Sequence, residues 1–247
     1  RLLNRMAGLS ALMPDESPDE VIARLKNFQP STLLAVLPRA QMGEDLVLAA
    51  LGWPDAQVFL KLLRQISRQS PDMAGFESTQ DVPNSVSPKS GVVDRQAVLD
   101  ELSTLGEARI RSLVKVFRAS KLPVTNSLTL MEAVWGWTRK SVESSVIKHG
   151  QVAMKAYGLL PLQREDEALE RYVRLKDIAK EASKYGQERQ ANTRAASEAG
   201  IANLAQTAGF ADAGRFEWAM EARLSHQGMP LNERQTVGDW EVELKLA

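Results

Sequence analysis

The side chains able to do chemistry are few and scattered along the chain. His149 and His226 are its two imidazoles, and an imidazole can serve as a base or a metal ligand. Neither has a second histidine or a carboxylate at i+3 or i+4, the spacing of a helical metal pair, so both read as packed or exposed residues. His149 also falls at a helix end, where a cation suits the dipole. The absence of cysteine removes disulfides, thiolate zinc, iron–sulfur ligation and cysteine nucleophiles. No GxSxG, GxxxxGK[ST] or GxGxxG pattern occurs in the sequence, which takes away the usual signatures of a serine nucleophile and of phosphate binding.

Three charged groupings remain. Glu165, Asp166 and Glu167 cluster where a helix begins, and negative charge there answers unpaired amides and the macrodipole, so capping is expected. Glu217 and Glu221 share a helix face beside Trp218, the spacing of a carboxylate pair, but no histidine or third carboxylate accompanies them as a metal site would need. Arg111, Lys115 and Arg118 lie opposite Ile110, Leu113, Val114 and Phe117, with Lys121 near the helix end. Such a face can contact phosphates; the competing reading is a solvated face that complements the helix C-terminus. No residue is assigned a catalytic, cofactor-binding or metal-binding role, and no cofactor is expected.

Composition narrows the classes further. Of 247 residues, 31 are Lys or Arg and 31 are Asp or Glu, so global charge gives no argument for a nucleic-acid or anionic-membrane partner. No run of about 18 apolar residues occurs, and a signal peptide is not evident, so no membrane association is expected and a cytoplasmic location is the default. The chain opens at Arg1 and stops within an alternating pattern at Trp240 to Ala247; the sequence reads as a fragment of a larger protein.

The elements that would position these residues are helices. Residues 1–70 read as N-terminal helical hairpins: Val21, Ile22 and Leu25, then Leu33, Leu34, Val36 and Leu37, then Leu46, Val47, Ala50 and Leu51 up to Gly52, then Val58, Leu62, Leu63 and Ile66. Residues 71–93 are rich in Ser, Pro, Gly, Asp and Asn and read as a linker or long loop. Residues 94–228 form the main helical domain, in which Asp94 caps one helix and Pro123 breaks another. One helix runs toward Trp135-Gly136-Trp137, whose rings, two residues apart, should point to different sides. Gly150 ends the following helix, and GLLPL from Gly158 is a buried connector. Residues 163–185 give a solvated amphipathic helix with Glu167–Arg171 and Glu170–Arg174 pairs. Ala191, Ala195, Ala199 and Ala202 form a small-residue stripe that lets a neighbour approach closely, so Ala195→Leu should overpack. Gly209 stops that helix in a Schellman turn with Phe210 folding back, and Asp212 caps the next. Residues 229–247 read as the start of a truncated β-rich segment, Trp240, Val242, Leu244 and Leu246 alternating with polar residues and needing partner strands beyond Ala247. The expected class is all-α, stacked antiparallel helices of helical-repeat-like or bundle type, with the start of a β-segment at the C-terminus.

HGQVAMKAYGLLPL, the charged helix after it, and YGQERQANTRAASEAGIANLAQTAGFADAGRFEWAMEA together resemble the domain of unknown function shared by bacterial MolR-like proteins, of the molybdate-metabolism-regulator type, some of which carry a WGR domain. The resemblance covers roughly residues 149–224. It implies a mostly helical region continuing into β-rich segments, and it transfers no catalytic residue. One departure is that Asp212 is followed by Ala213 where the family commonly has Asp-Pro, which keeps the cap and loses the rigid first turn. The expected function is a noncatalytic scaffold or protein-interaction portion of a large cytoplasmic bacterial protein, with a protein partner or neighbouring domains of the same chain. The alternatives are a nucleic-acid-linked regulatory module using Arg111, Lys115 and Arg118, or part of an enzyme completed outside the fragment.

Overall fold

The computed structural model describes residues 2–3, 16–40, 43–68, 91–228, 235–237 and 240–242, and the fold they make is all-α. Its helices are α1 (Pro18–Leu25), α2 (Pro30–Val36), α3 (Glu44–Leu51), α4 (Ala56–Arg68), α5 (Arg95–Leu105), α6 (Glu107–Ala119), α7 (Thr125–Val134), α8 (Arg139–Ile147), α9 (Gln151–Leu159), α10 (Glu167–Glu181), α11 (Gln187–Thr207) and α12 (Ala213–Gly228). Short 3-10 turns follow α2 and α10. The linker expected over 71–93 lies outside the described residues up to 90.

Local chemistry sets many of the boundaries. The Ser17 hydroxyl accepts from the Glu20 N–H at 3.2 Å, Asp94 accepts from Ala97 N–H at 3.0 Å, and Asp212 from Arg215 N–H at 2.8 Å, each satisfying a donor that the first turn leaves unpaired. Gly209 has a φ of 79°, and Phe210 N–H donates to the Ala205 carbonyl at 2.9 Å, the Schellman stop expected there. At the end of α8, however, the left-handed residue is His149, with a φ of 58°. Gly150 is the next residue along and donates to the Ser145 carbonyl at 3.0 Å; a φ of −68° there uses none of glycine's freedom. At the end of α7 the turn at Gly136, φ 77°, folds the chain so that Trp135 and Trp137 rings meet at 4.7 Å. The expectation of divergent rings assumed a continuous helix through 137, and the helix ends at Val134.

One apolar core runs from Val21 on α1 to Met220 on α12. α4 turns Phe59, Leu60, Leu62, Leu63 and Ile66 inward; Leu62, Leu63 and Ile66 are the face expected from spacing, and Val58, expected with them, is left outside. α4 packs on α5 and α7, α7 packs on α9, and α9 packs on α11. That last crossing is the tightest among the described residues. Gly158, expected to open the connector, instead lies inside α9, where a Cβ would run into the Gly200 carbonyl of α11; a Cβ on Gly200 would stand 2.6 Å from the Met154 carbonyl. Backbone therefore meets backbone, and only glycine fits on both sides.

α11 is enclosed by neighbours over most of its length after Thr193. Its buried positions include Thr193, Ala196, Ala199, Gly200, Asn203 and Leu204, whereas Ala191 and Ala195 are exposed. The alanine stripe thus holds at Ala199, which is buried, and Ala202, half-buried, and fails at Ala191 and Ala195, so Ala195→Leu has open space to enter. The sequence reading failed there because an alanine is at home on either side of a helix. At the C-terminal end, Gln235–Val237 and Trp240–Val242 pair antiparallel, Val237 opposite Trp240. A partner strand thus precedes Trp240 in this chain, where the sequence reading looked for one beyond Ala247; residues 243–247 lie outside the described residues.

Candidate interaction groove

Three consecutive helices, α10, α11 and α12, leave an open groove of about 690 Å³ between them. α10 presents Tyr172 and Lys176 to it, and α12 presents Glu217 and Glu221, residues one turn apart on each helix and so on a common face. The Tyr172 hydroxyl donates to Glu221 Oε1 at 2.5 Å, and Lys176 Nζ donates to Glu217 Oε2 at 2.9 Å. Burial, reinforced by the Glu221 hydrogen bond, pushes the Tyr172 hydroxyl up to about 12. The hydrogen bond to Glu217 raises Lys176 above its ordinary value against the opposing effect of burial. The Glu217 and Glu221 carboxylates are therefore clamps that hold α12 onto α10, and Tyr172 stays protonated at neutral pH. Beneath them the Tyr172 and Phe216 rings meet edge to face at 5.8 Å, and Phe210 adds a second edge contact to Phe216 at 5.3 Å. On the outer side of α12, Trp218 is 78% exposed.

Next to the groove residues on α10, a cluster of ionic groups is largely withdrawn from water. Arg171 is fully buried and donates to the carbonyls of Tyr157 at 3.0 Å, Leu160 at 2.5 Å and Pro161 at 3.1 Å, so one side chain ties together three carbonyls at the end of α9 and the start of the connector. Its charge is answered by Glu167 at 2.5 Å, which also accepts from Arg139 at 2.7 Å and from the Gln163 N–H at 2.6 Å. Burial alone would raise the Glu167 carboxyl; the Gln163 N–H and the two guanidiniums prevail and hold it at about 2. The pair expected on a solvated helix surface is thus internal, and Glu170 joins Arg164 at 2.7 Å. Asp166, also expected to cap, makes no side-chain cap bond and reaches Arg223 of α12 at 3.2 Å. Asn203 of α11 is the other buried anchor: its amide accepts from Val93 N–H and donates to the Gly91 and Lys155 carbonyls, each at 3.0 Å.

The basic face of α6 is largely committed to neighbours. Arg111 donates to Glu107 at 2.7 Å and stacks 3.9 Å over the Trp137 ring. Arg118 pairs with Glu132 of α7 and reaches Thr129 at 3.4 Å; Lys115 is exposed. His149 lies 3.4 Å from Glu181 with its ring edge-on to Tyr185, between α8 and the end of α10, while the His226 side chain lies outside the described residues. Among the described residues no group of three or more His, Asp or Glu side chains is placed to hold a metal ion, and no helix is long and apolar enough to cross a membrane. Sequence reasoning paired Arg171 with Glu167, as found, but on a solvated face, and it missed Asn203 and the groove itself; an arginine amid apolar helix positions, Tyr172 and Leu175, was the available signal for the burial.

Most of the residues lining the groove fall within the part of the chain that is similar to known sequences, Glu221 and Leu224 lying just beyond it. No match was found among curated proteins or among solved structures. Residues 133–220, from the end of α7 into α12, match a family of unknown function, DUF5724.

Proposed function

We propose that this chain is a noncatalytic helical scaffold that engages a protein partner through α12 and the groove beside it, as one portion of a large, MolR-like cytoplasmic bacterial protein. The observation that carries the reading is Trp218: a large amphipathic ring left 78% exposed, on the helix whose Glu217 and Glu221 are already paired with Lys176 and Tyr172 across the groove. Exposed tryptophan is enriched at interaction hot spots, whereas an acid–base site would keep a titrating group unpaired and near neutrality. The MolR-like affiliation is supported by the HGQVAMKAYGLLPL segment and the α11–α12 sequence.

The test is recovery of the full-length protein from its own cells, with and without Trp218→Ala. A stoichiometric partner retained by the wild type and lost from the variant, at unchanged unfolding temperature, is the expected result. An identical partner set in both would overturn the assignment of α12. Substrate turnover abolished by substitutions in the groove that leave the fold intact would overturn the noncatalytic reading.

A further inference from the structure

A second concavity, about 400 Å³, opens on the other half of the molecule between α4, the end of α6 and the turn leading into α7. Its walls are apolar: Leu60 and Leu63 of α4, Phe117 of α6, and Leu122 to Val124. Its interior makes no polar demand, since Ser67 donates to the Leu63 carbonyl at 2.8 Å and shares a hydrogen bond with Ser127 at 2.9 Å. The charge is confined to one side, where Arg64 and Arg68, one turn apart on α4, both line the cavity. Arg64 is answered by Glu44, with one bond at 2.8 Å. Arg68 is exposed at the last turn of α4 and has no ion pair among the described residues. α7, whose N-cap residue Val124 also lines the cavity, starts without a side-chain cap, so its first amides add positive potential.

An apolar chamber with satisfied walls and one uncommitted guanidinium beside it is the inverse image of an amphiphile carrying a single negative charge. The volume falls within the range of about 300–1,000 Å³ typical of small-molecule sites. We propose that this cavity binds an aliphatic carboxylate, its chain among Leu60, Leu63 and Phe117 and its head group on Arg68. Guanidinium suits that head group because its planar fork matches a carboxylate's two oxygens. This site is independent of Trp218 and of the interaction reading.

Calorimetric titration of the full chain with decanoate, and with decanol as the neutral chain of the same length, tests it. Saturable decanoate binding that decanol does not match is expected, weakened about tenfold or more by Arg68→Glu. Leu122→Asp, which puts a negative charge into the apolar wall without touching α4, should also weaken it. Lys61→Glu, one turn from Arg64 but outside the cavity wall, should change it by less than about threefold. Equal binding of decanoate and decanol, no saturable binding, or loss of affinity in Lys61→Glu equal to that in Arg68→Glu overturns the proposal. An acidic peptide that binds there while decanoate does not overturns it too.

Discussion

Glu167→Gln keeps the shape of a side chain while deleting the charge that compensates a fully buried arginine, and its cost follows from the geometry. The carboxyl is held at about 2 in the fold against a reference value of 4.5; at 1.36 kcal/mol per pH unit that gap corresponds to about 3 kcal/mol. The folded value lies below the unfolded one, so this contribution is complete well above pH 4.5 and is lost as the pH falls through about 2. At pH 7 the variant also leaves Arg171 buried without its counter-charge, which sets the expected loss in the range of about 3–5 kcal/mol. Urea unfolding of wild type and variant at pH 7 and pH 3 reads both effects. By pH 3 the wild type has already given up about 2 kcal/mol of the carboxylate's contribution, and the gap between the proteins should narrow by that amount. A variant within about 1 kcal/mol of wild type at pH 7, or a gap that is the same at both pH values, would refute the reasoning, because either result means the pair is wetter than its burial indicates.

Three other substitutions probe separate features. Gly200→Ala gains about 1 kcal/mol of helix propensity but drives a Cβ toward the Met154 carbonyl and Leu175, overpacking at about 1–3 kcal/mol; a net loss of up to about 2 kcal/mol in chemical denaturation is expected, and a gain would show that α9 and α11 separate freely. His149→Gly relieves a left-handed residue, worth about 1 kcal/mol, at the expense of the Glu181 contact; the unfolding temperature should rise, and a fall would mean the imidazole contributes more than its backbone strain costs. Glu101 is buried with one carboxylate oxygen unpartnered, and burial, then Asp100 and Asp55, raise its carboxyl. A raised folded value means that stability improves as the pH falls from the folded value toward the unfolded one, so Glu101→Gln should stabilise by about 1 kcal/mol at pH 7 and by progressively less toward pH 4; an unchanged or lower stability at pH 7 would contradict it.

What the sequence made legible was what neighbouring residues decide among themselves. Gly209, Phe210 and Asp212 specify a stop and a start within one short stretch, and the structure has both where the residues place them. Asp94 and Ser17-Pro18 belong to the same kind of signal. The burial of Arg171 and the role of Asn203 were illegible for the opposite reason: the carbonyls they satisfy become neighbours only after α9, α10 and α11 have packed. The small-residue stripe of α11 went astray at Ala191 and Ala195, which share the solvent side of the helix with Arg194 and Glu198, because an alanine is at home on either side and does not by itself fix the phase of the reading. Glu217 and Glu221 were visible as a pair, but their partners, Lys176 and Tyr172, lie 41 and 49 residues away. The groove is a property of three helices at once, and no single helix's periodicity encodes it.

The meeting of Gly158 with Gly200 has a mechanical corollary. Where side chains interdigitate, two helices can slip by a fraction of a turn as rotamers adjust; where a carbonyl occupies the place of a missing Cβ, slipping would lift one backbone over the other. α9 and α11 therefore behave as a single stiff beam. α12 hangs from one end of that beam through the Gly209–Asp212 turn, and α7 bears against its flank. Load applied at Trp218 would reach α7 and α4 as a tilt of the beam, without changing the register between its two helices.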